Sequence, residues 1–443
     1  MDEFNFRNGV LHCEAIDLRE VAQRFDTPLY VYSRKTLLDH YDRCAAAFAP
    51  LNATICFSVK SCHNLAILEL LRRRGSAFDV VSGGELQRVL EIGADPSRIA
   101  FAGVGKSDAE INQAVQAGIG WFNVESEGEL GNVASIASAA GKIARVALRV
   151  NPDVDPQTHV YTTTGKRETK FGVDLVRARQ VFRDFRGRSG LDLSGVHLHL
   201  GSPVNRIDAY AESVGKALEL IEELKGDGFA MRAINIGGGF GAHYQHDEAP
   251  PAHAYAERIV PLLRHRDLAV LLEPGRSIAA NGGILLTRVL YTKASGDRQF
   301  VIVDAAMTEL IRPALYGAFH FAWPVAPRDG AISPARGLDV RSPGSVLVDI
   351  VGPVCESGDF LAKDRWLPPV SRGDLICIFA TGAYGSVMSS QYNSRPRAAE
   401  VLVDGASVRL VRRRETYDDL VQEERLIPAN QDVRKDSRTG DVE

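Results

Sequence analysis

The chain has 443 residues, 45% hydrophobic and 24% charged, with 52 basic against 56 acidic side chains and a net charge of −4. That is the makeup of a globular protein of up to about three domains, not of a disordered chain, and the lack of a basic excess argues against sequence-independent nucleic-acid binding. No apolar run approaches the roughly 20 residues that span a bilayer, so no membrane association is expected.

The first ten residues, MDEFNFRNGV, have neither the basic start nor the apolar stretch of a secretory signal. LYVYS, from Leu29, reads as a strand that belongs with the β-rich region near the C-terminus. Eight short apolar runs follow: ATICFSV from Ala53, AFDVVS from Ala77, IAFAG from Ile99, WFNVES from Trp121, VALRVNP from Val146, GVHLHLG from Gly195, AINIGGG from Ala233 and AVLLEPG from Ala269. Near-continuous apolar runs suit strands buried on both faces of a parallel sheet. Helical spacing separates most of them, as in Leu65, Ile67, Leu68 and Leu71, in Leu86, Val89 and Leu90, over 209–224 and over 255–263. Eight strand–helix units predict an α/β fold, a (β/α)8 TIM barrel over 34–280. One connection is long: DPQTHVYTTTGKRETKFG, 155–172, is expected to be a loop over the barrel mouth.

Beyond about Asn281 the spacing changes. ILLTRVLYT from Ile284, QFVIVDAA from Gln299, SVLVDIVGPVC from Ser345, DLICIFATG from Asp374 and AAEVLVDG from Ala398 read as strands without intervening helices. They predict a C-terminal, mainly-β domain over 281–425, joined by the N-terminal segment 1–33. The polar tail, 426–443, is expected to be disordered. The six cysteines, Cys13, Cys44, Cys56, Cys62, Cys355 and Cys377, form no CxxC pair and no disulfide framework. They are read as reduced and mostly buried, in a cytoplasmic protein, with Cys355 as a candidate exception.

In a barrel of this kind, function sits where strands end and their loops begin. Those positions hold Lys60, Ser82-Gly83-Gly84, Gly103, Glu125, Asn151, His199, Gly201, Ser202, Gly237-Gly238-Gly239 and Glu273-Pro274-Gly275-Arg276. Polar and glycine residues at nearly every end suggest one shared pocket. The glycine run fails the dinucleotide spacing because position 242 is Ala. It is either a tight turn or a place where backbone N–H groups approach an anion. Gly105-Lys106-Ser107 resembles the end of a P-loop, but Ala100 stands where the first glycine belongs, which rejects it.

Lys60 is either a solvated rim charge or a desolvated amine, whose pKa would fall and which could form a Schiff base. His197 and His199 lie two apart and face one side, yet no further ligand stands at zinc spacing, so no metal is expected. His197 reads as packed or hydrogen-bonded, and His199 as able to stack on a planar ligand. Glu273 is either the salt-bridge partner of Arg276 or the carboxylate that faces a cationic ring nitrogen. An imine-forming lysine, a stacking histidine, phosphate-binding glycines and a carboxylate on a pyridinium together describe pyridoxal 5'-phosphate on a barrel.

With these parts in place the chain resembles the alanine-racemase-like, fold type III pyridoxal-phosphate decarboxylases, and among them the diaminopimelate decarboxylases. The resemblance runs from about Pro28 to about Glu424. It is carried by FSVKSCHNLAIL at Phe57, FDVVSGGEL at Phe78, HLHLGS at His197, NIGGGFG at Asn235 and EPGRSIAANGG at Glu273. The β region adds VDAAMTELIRPALYGAFH at Val303, GPVCESGDFLAKDRWLP at Gly352 and GAYGSVMSSQYNSRPRAAEVLV at Gly382. The resemblance implies that Lys60 bonds the cofactor. Asp79, His199, Ser202, Gly237, Gly238, Gly239, Glu273, Gly275, Arg276 and Tyr384 would hold it. Arg276, Arg312, Tyr316, Glu356 and Tyr384 would bind an amino-acid substrate. Cys355 would return a proton after carbon dioxide leaves. It further implies a homodimer in which Cys355 and Glu356 complete the neighbouring subunit's pocket. The implied reaction is decarboxylation of meso-diaminopimelate to L-lysine. The rivals are a related decarboxylase acting on ornithine, arginine or carboxynorspermidine, an alanine racemase, and a non-catalytic regulatory homologue. Arg312 to Tyr316 and Cys355 to Ser357 disfavour the first, Glu273 the second, and Lys60 with Cys355 the third.

Overall fold

Eight parallel strands close on themselves in the computed structural model, which describes residues 2–154, 170–245, 249–328, 330 and 336–425. They are β1 (Thr54–Ser58), β2 (Ala77–Val80), β3 (Ile99–Phe101), β4 (Trp121–Val124), β5 (Ala144–Asn151), β6 (Leu191–His197), β7 (Ala233–Asn235) and β8 (Ala269–Leu272). Each pairs with the next, β8 returns to β1, and β4 with β5 leaves no free edge. Phe57, Phe78, Phe101 and Phe122 are fully buried on four neighbouring strands. Helices cover the outside, so the strands have no wet face and read as unbroken apolar runs. The predicted (β/α)8 barrel is therefore present.

Three consecutive helices start alike, after β2, β3 and β4. The side chains of Ser82, Ser107 and Ser126 accept from the N–H groups of Glu85, Glu110 and Glu129. Each glutamate reaches back to a backbone N–H, of Val81 at 2.9 Å, Ser107 at 2.9 Å and Glu125 at 2.8 Å. Capping of this kind fixes where each helix begins, and so the shape of the strand end before it.

Eight further strands belong to the mainly-β unit: β9 (Gly283–Ser295), β10 (Arg298–Val303), β11 (Ala322–Pro324), β12 (Val346–Val351), β13 (Phe360–Leu367), β14 (Leu375–Ile378), β15 (Ala399–Asp404) and β16 (Ser407–Arg412). The N-terminal strand Leu29–Ser33 lies inside this sheet, antiparallel to β9 and parallel to β15. A five-residue helix, Arg312–Tyr316, interrupts a region read as strands alone. It starts with Arg312-Pro313, and a proline near a helix start fits because its missing N–H needs no partner there.

The loop predicted over 155–172 lies outside the described residues except for its last three, and the tail 426–443 lies outside them altogether. Five cysteines are buried free thiols, and Cys355 is exposed. Among the described residues no helix is long and apolar enough to cross a membrane.

Candidate active site

Lys60 stands in a single 3-10 turn, Val59–Ser61, directly after β1. Its Nζ lies 2.8 Å from Oδ2 of Asp79, and Ser58 Oγ donates to the same oxygen at 2.6 Å. Ser58 and Asp79 are register partners on β1 and β2, which delivers the carboxylate to the amine. Burial acts to lower the Lys60 pKa, but Asp79, Glu273 and Tyr384 hold it above the ordinary value. The sequence argument from desolvation alone pointed downward; the buried Asp79 partner reverses it. About a third of the side chain, 34%, still faces the open mouth.

Glu273, immediately after β8, is buried. Its Oε1 accepts from Asn123 Nδ2 at 2.8 Å and Asn235 Nδ2 at 2.6 Å, and Oε2 faces His197 Nε2 at 3.3 Å. Burial would raise this carboxyl, yet His197, Lys60 and His199 hold it far below the usual carboxylate range. Glu273 is thus ionised, and it does not pair with Arg276. His197 fills the hydrogen-bonded role read from sequence. His199 accepts from the Gly238 N–H at 3.4 Å, and burial, with Arg149 and Lys60 nearby, pushes its pKa well below the ordinary value. A neutral imidazole results.

The glycine run crosses these residues closely. Gly237 and Gly239 have φ of +72° and +97°. A Cβ at Gly237 would overlap the Leu198 carbonyl oxygen, and one at Gly238 that of Glu273. The turn needs its glycines on backbone grounds alone. A Cβ at Gly275 would lie 2.9 Å from Ser61 Oγ, so the β8 end and the Lys60 turn also touch.

Two arginines approach from the other side. The Arg276 guanidinium donates to Ser202 Oγ at 3.1 Å and Tyr244 OH at 2.8 Å, and lies 4.7 Å from the Tyr384 ring. Tyr384 belongs to the β-domain loop after β14, and its N–H donates to the Ser61 carbonyl at 2.9 Å. Arg312 opens the short helix, lies 4.7 Å from the Tyr244 ring and has NH1 2.8 Å from His320 Nε2. Tyr316 is half-buried, close to both arginines. Among the described residues neither arginine meets a carboxylate.

Cys355 and Glu356 stand apart. Both are exposed, between β12 and β13. Cys355 Sγ lies 3.2 Å from Asn393 Oδ1, and Glu356 accepts from the Tyr392 hydroxyl. Within one chain neither joins the Lys60–Glu273 group. The other sequence-selected residues, Lys60, Asp79, His199, Ser202, the glycines, Glu273, Arg276, Arg312, Tyr316 and Tyr384, are linked by the contacts above.

Residues 34–280 match the model of the pyridoxal-dependent decarboxylase family, pyridoxal binding domain. A diaminopimelate decarboxylase from Pseudomonas aeruginosa is 45% identical over 428 residues, 97% of this chain and 100% of that one. The chain belongs to the diaminopimelate decarboxylase family. A crystal structure of the Helicobacter pylori member complexed with L-lysine has a TM-score of 0.85 and 39% identity, covering 92% of this chain and 99% of that one. One from M. jannaschii in co-complex with L-lysine has a TM-score of 0.89 and 34% identity, covering 96% and 98%.

The donor set suits the cofactor of a pyridoxal-dependent decarboxylase: an accessible amine at Lys60, an ionised buried carboxylate at Glu273 and a neutral imidazole at His199. Sequence reasoning for this family member missed Ser58, Asn123, Asn235, Tyr244 and His320. Asn123 and Asn235 had a signal, as polar residues inside otherwise apolar strand runs. His320 closes the motif that opens at Val303. Tyr244 carried no signal.

Proposed function

We propose that this chain decarboxylates meso-2,6-diaminopimelate to L-lysine and carbon dioxide, the last step of lysine biosynthesis, with pyridoxal 5'-phosphate as cofactor. The observation that carries the reading is the pair of buried arginines, Arg276 and Arg312, that among the described residues have no carboxylate partner, beside an amine–carboxylate pocket. Diaminopimelate has two carboxylates: one is lost and the other needs a cationic reader. Planar guanidinium groups bind carboxylates through paired hydrogen bonds.

When bound, pyridoxal phosphate supplies an aldehyde for an amine and a ring that accepts the electrons left when the Cα–carboxylate bond breaks. Lys60 would hold that aldehyde, Glu273 would keep a proton on the ring nitrogen, His199 would pack on the ring, and Ser202 with the glycine turn would take the phosphate side. Asp79 pairs with the Lys60 ammonium. Arg276, Arg312, Tyr316 and Tyr384 orient the distal end of the substrate. A proton then returns to Cα from Cys355, or from Lys60.

Cys355 and Glu356 act in a neighbouring copy, which makes the working enzyme a cytoplasmic homodimer. Their exposure in a single chain supports this reading. Mixing Lys60→Ala and Cys355→Ala subunits is expected to give more activity than either variant has alone; no recovery would reject the shared site. The test of function is carbon-dioxide release from a panel of amino acids. Diaminopimelate is expected to exceed ornithine and arginine by at least about a hundredfold in kcat/KM, because a site built for a polar group rejects analogues that lack it. Preference for ornithine would move the assignment to a related decarboxylase.

A further inference from the structure

Arg276 and Arg312 are held differently. Arg276 rests on hydroxyl groups and a ring, whereas Arg312 points NH1 at Nε2 of His320, 2.8 Å away. His320 is fully buried, and its other ring nitrogen, Nδ1, lies 2.9 Å from the Phe379 carbonyl oxygen, just after β14. A carbonyl only accepts, so Nδ1 carries the hydrogen and Nε2 offers Arg312 a lone pair. Burial, together with the adjacent Arg312, keeps the ring neutral, with its pKa down to about 3. Tyr244 completes the link. Its ring meets His320 edge-on at 5.3 Å and underlies Arg312, while its hydroxyl accepts from Arg276.

A carboxylate at position 320 would orient Arg312 equally well but would cancel its charge. We infer that His320 is a positioning residue for substrate specificity: it aims the Arg312 guanidinium through a neutral acceptor and leaves the positive charge for the distal carboxylate. The inference rests on Arg312 reading that carboxylate. It also reaches the product. Lysine keeps the carboxylate that was not removed, so product and substrate should depend on His320 alike.

The experiment measures KM and kcat for diaminopimelate, the inhibition constant of lysine, and the cofactor absorption spectrum in three variants. His320→Leu is expected to raise KM and the lysine constant together by about tenfold, with kcat within about twofold and the spectrum unchanged. His320→Gln, whose amide oxygen can accept from Arg312, should restore both constants to near wild type. His320→Glu should be at least as impaired as the leucine variant. Unchanged constants in His320→Leu, or a glutamate variant equal to wild type, would overturn the inference. If the leucine variant does not fold, the Gln and Glu pair decides, and equal constants for both reject it. Arg312→Ala separates the two readings. If it leaves KM and the lysine constant unchanged, the carboxylate-reading role of Arg312 falls; if it raises both while the His320 variants do not, only the role of His320 falls.

Discussion

At the barrel end of the pocket, charged groups are matched: Lys60 against Asp79, and Glu273 against His197 and two asparagine amides. At the β-domain end, Arg276 and Arg312 rest on hydroxyls, rings and a neutral imidazole. Unpaired charge in a low-dielectric interior is costly. A matched cluster is ready before any ligand arrives, while an unmatched one is completed by the ligand's own charge. On the proposed function, the barrel end prepares chemistry, and the β-domain end selects what undergoes it.

The two ends should fail differently. Lys60→Ala is expected to reduce turnover to background and remove the absorption band of lysine-bound cofactor, because no second amine stands in the cluster among the described residues. Borohydride reduction and peptide mapping of the wild type should mark Lys60, and label on another lysine would end the assignment. Arg312→Ala should leave that band intact and lower kcat/KM for diaminopimelate by roughly ten- to a hundredfold, the loss of one charge-assisted hydrogen bond. Ornithine, whose single carboxylate sits at the reacting carbon, should lose far less. Equal losses for both substrates would erase the proposed division of labour.

Glu273→Gln is the next smaller effect. The glutamine oxygen can still accept from Asn123 and Asn235, so the fold and the cofactor should be retained. The neutral amide no longer favours a protonated ring. One pKa unit is about 1.4 kcal/mol, so even a partial shift should cost about tenfold in kcat. An unchanged kcat would remove Glu273 from the ring nitrogen.

The same contrast explains what could be read from the sequence. The barrel strands were legible because both faces are buried, and Lys60 and Glu273 because their side chains stand at the ends of such runs. β13 was not: its middle is Lys363-Asp364-Arg365, Asp364 has φ of +52°, and the pairing with β12 shifts register there. β16 is an edge strand whose Arg409 and Leu410 are both exposed, so it shows no buried face to recognise. Tyr244 meets Arg276 from 32 residues away and His320 is oriented by Phe379 from 59 residues away, and local spacing does not encode such contacts. Cys355 and Glu356 were selected only through family resemblance, since a single chain leaves both on its surface.

The smallest effect tests whether cations, and not hydrogen bonds alone, keep Glu273 ionised. Glu309, in the segment leading to Arg312, is equally buried and accepts two hydrogen bonds at Oε2, from Ala306 N–H and Thr308 Oγ1, each at 2.8 Å. It forms no ion pair among the described residues, and burial pushes its carboxyl up to about 7 despite those donors and a distant Arg395. A folded-state pKa above the ordinary 4.5 means that the folded chain binds this proton more tightly than the unfolded one. Its contribution is complete below the unfolded value and is lost as pH rises to about 7. Glu309→Gln should therefore match the wild type at pH near 5 and exceed it by about 1–3 kcal/mol near pH 8 in urea unfolding. If both proteins show the same pH slope, Glu309 is ionised in the fold, Arg395 serves as its cation, and the distinction between the two buried glutamates disappears.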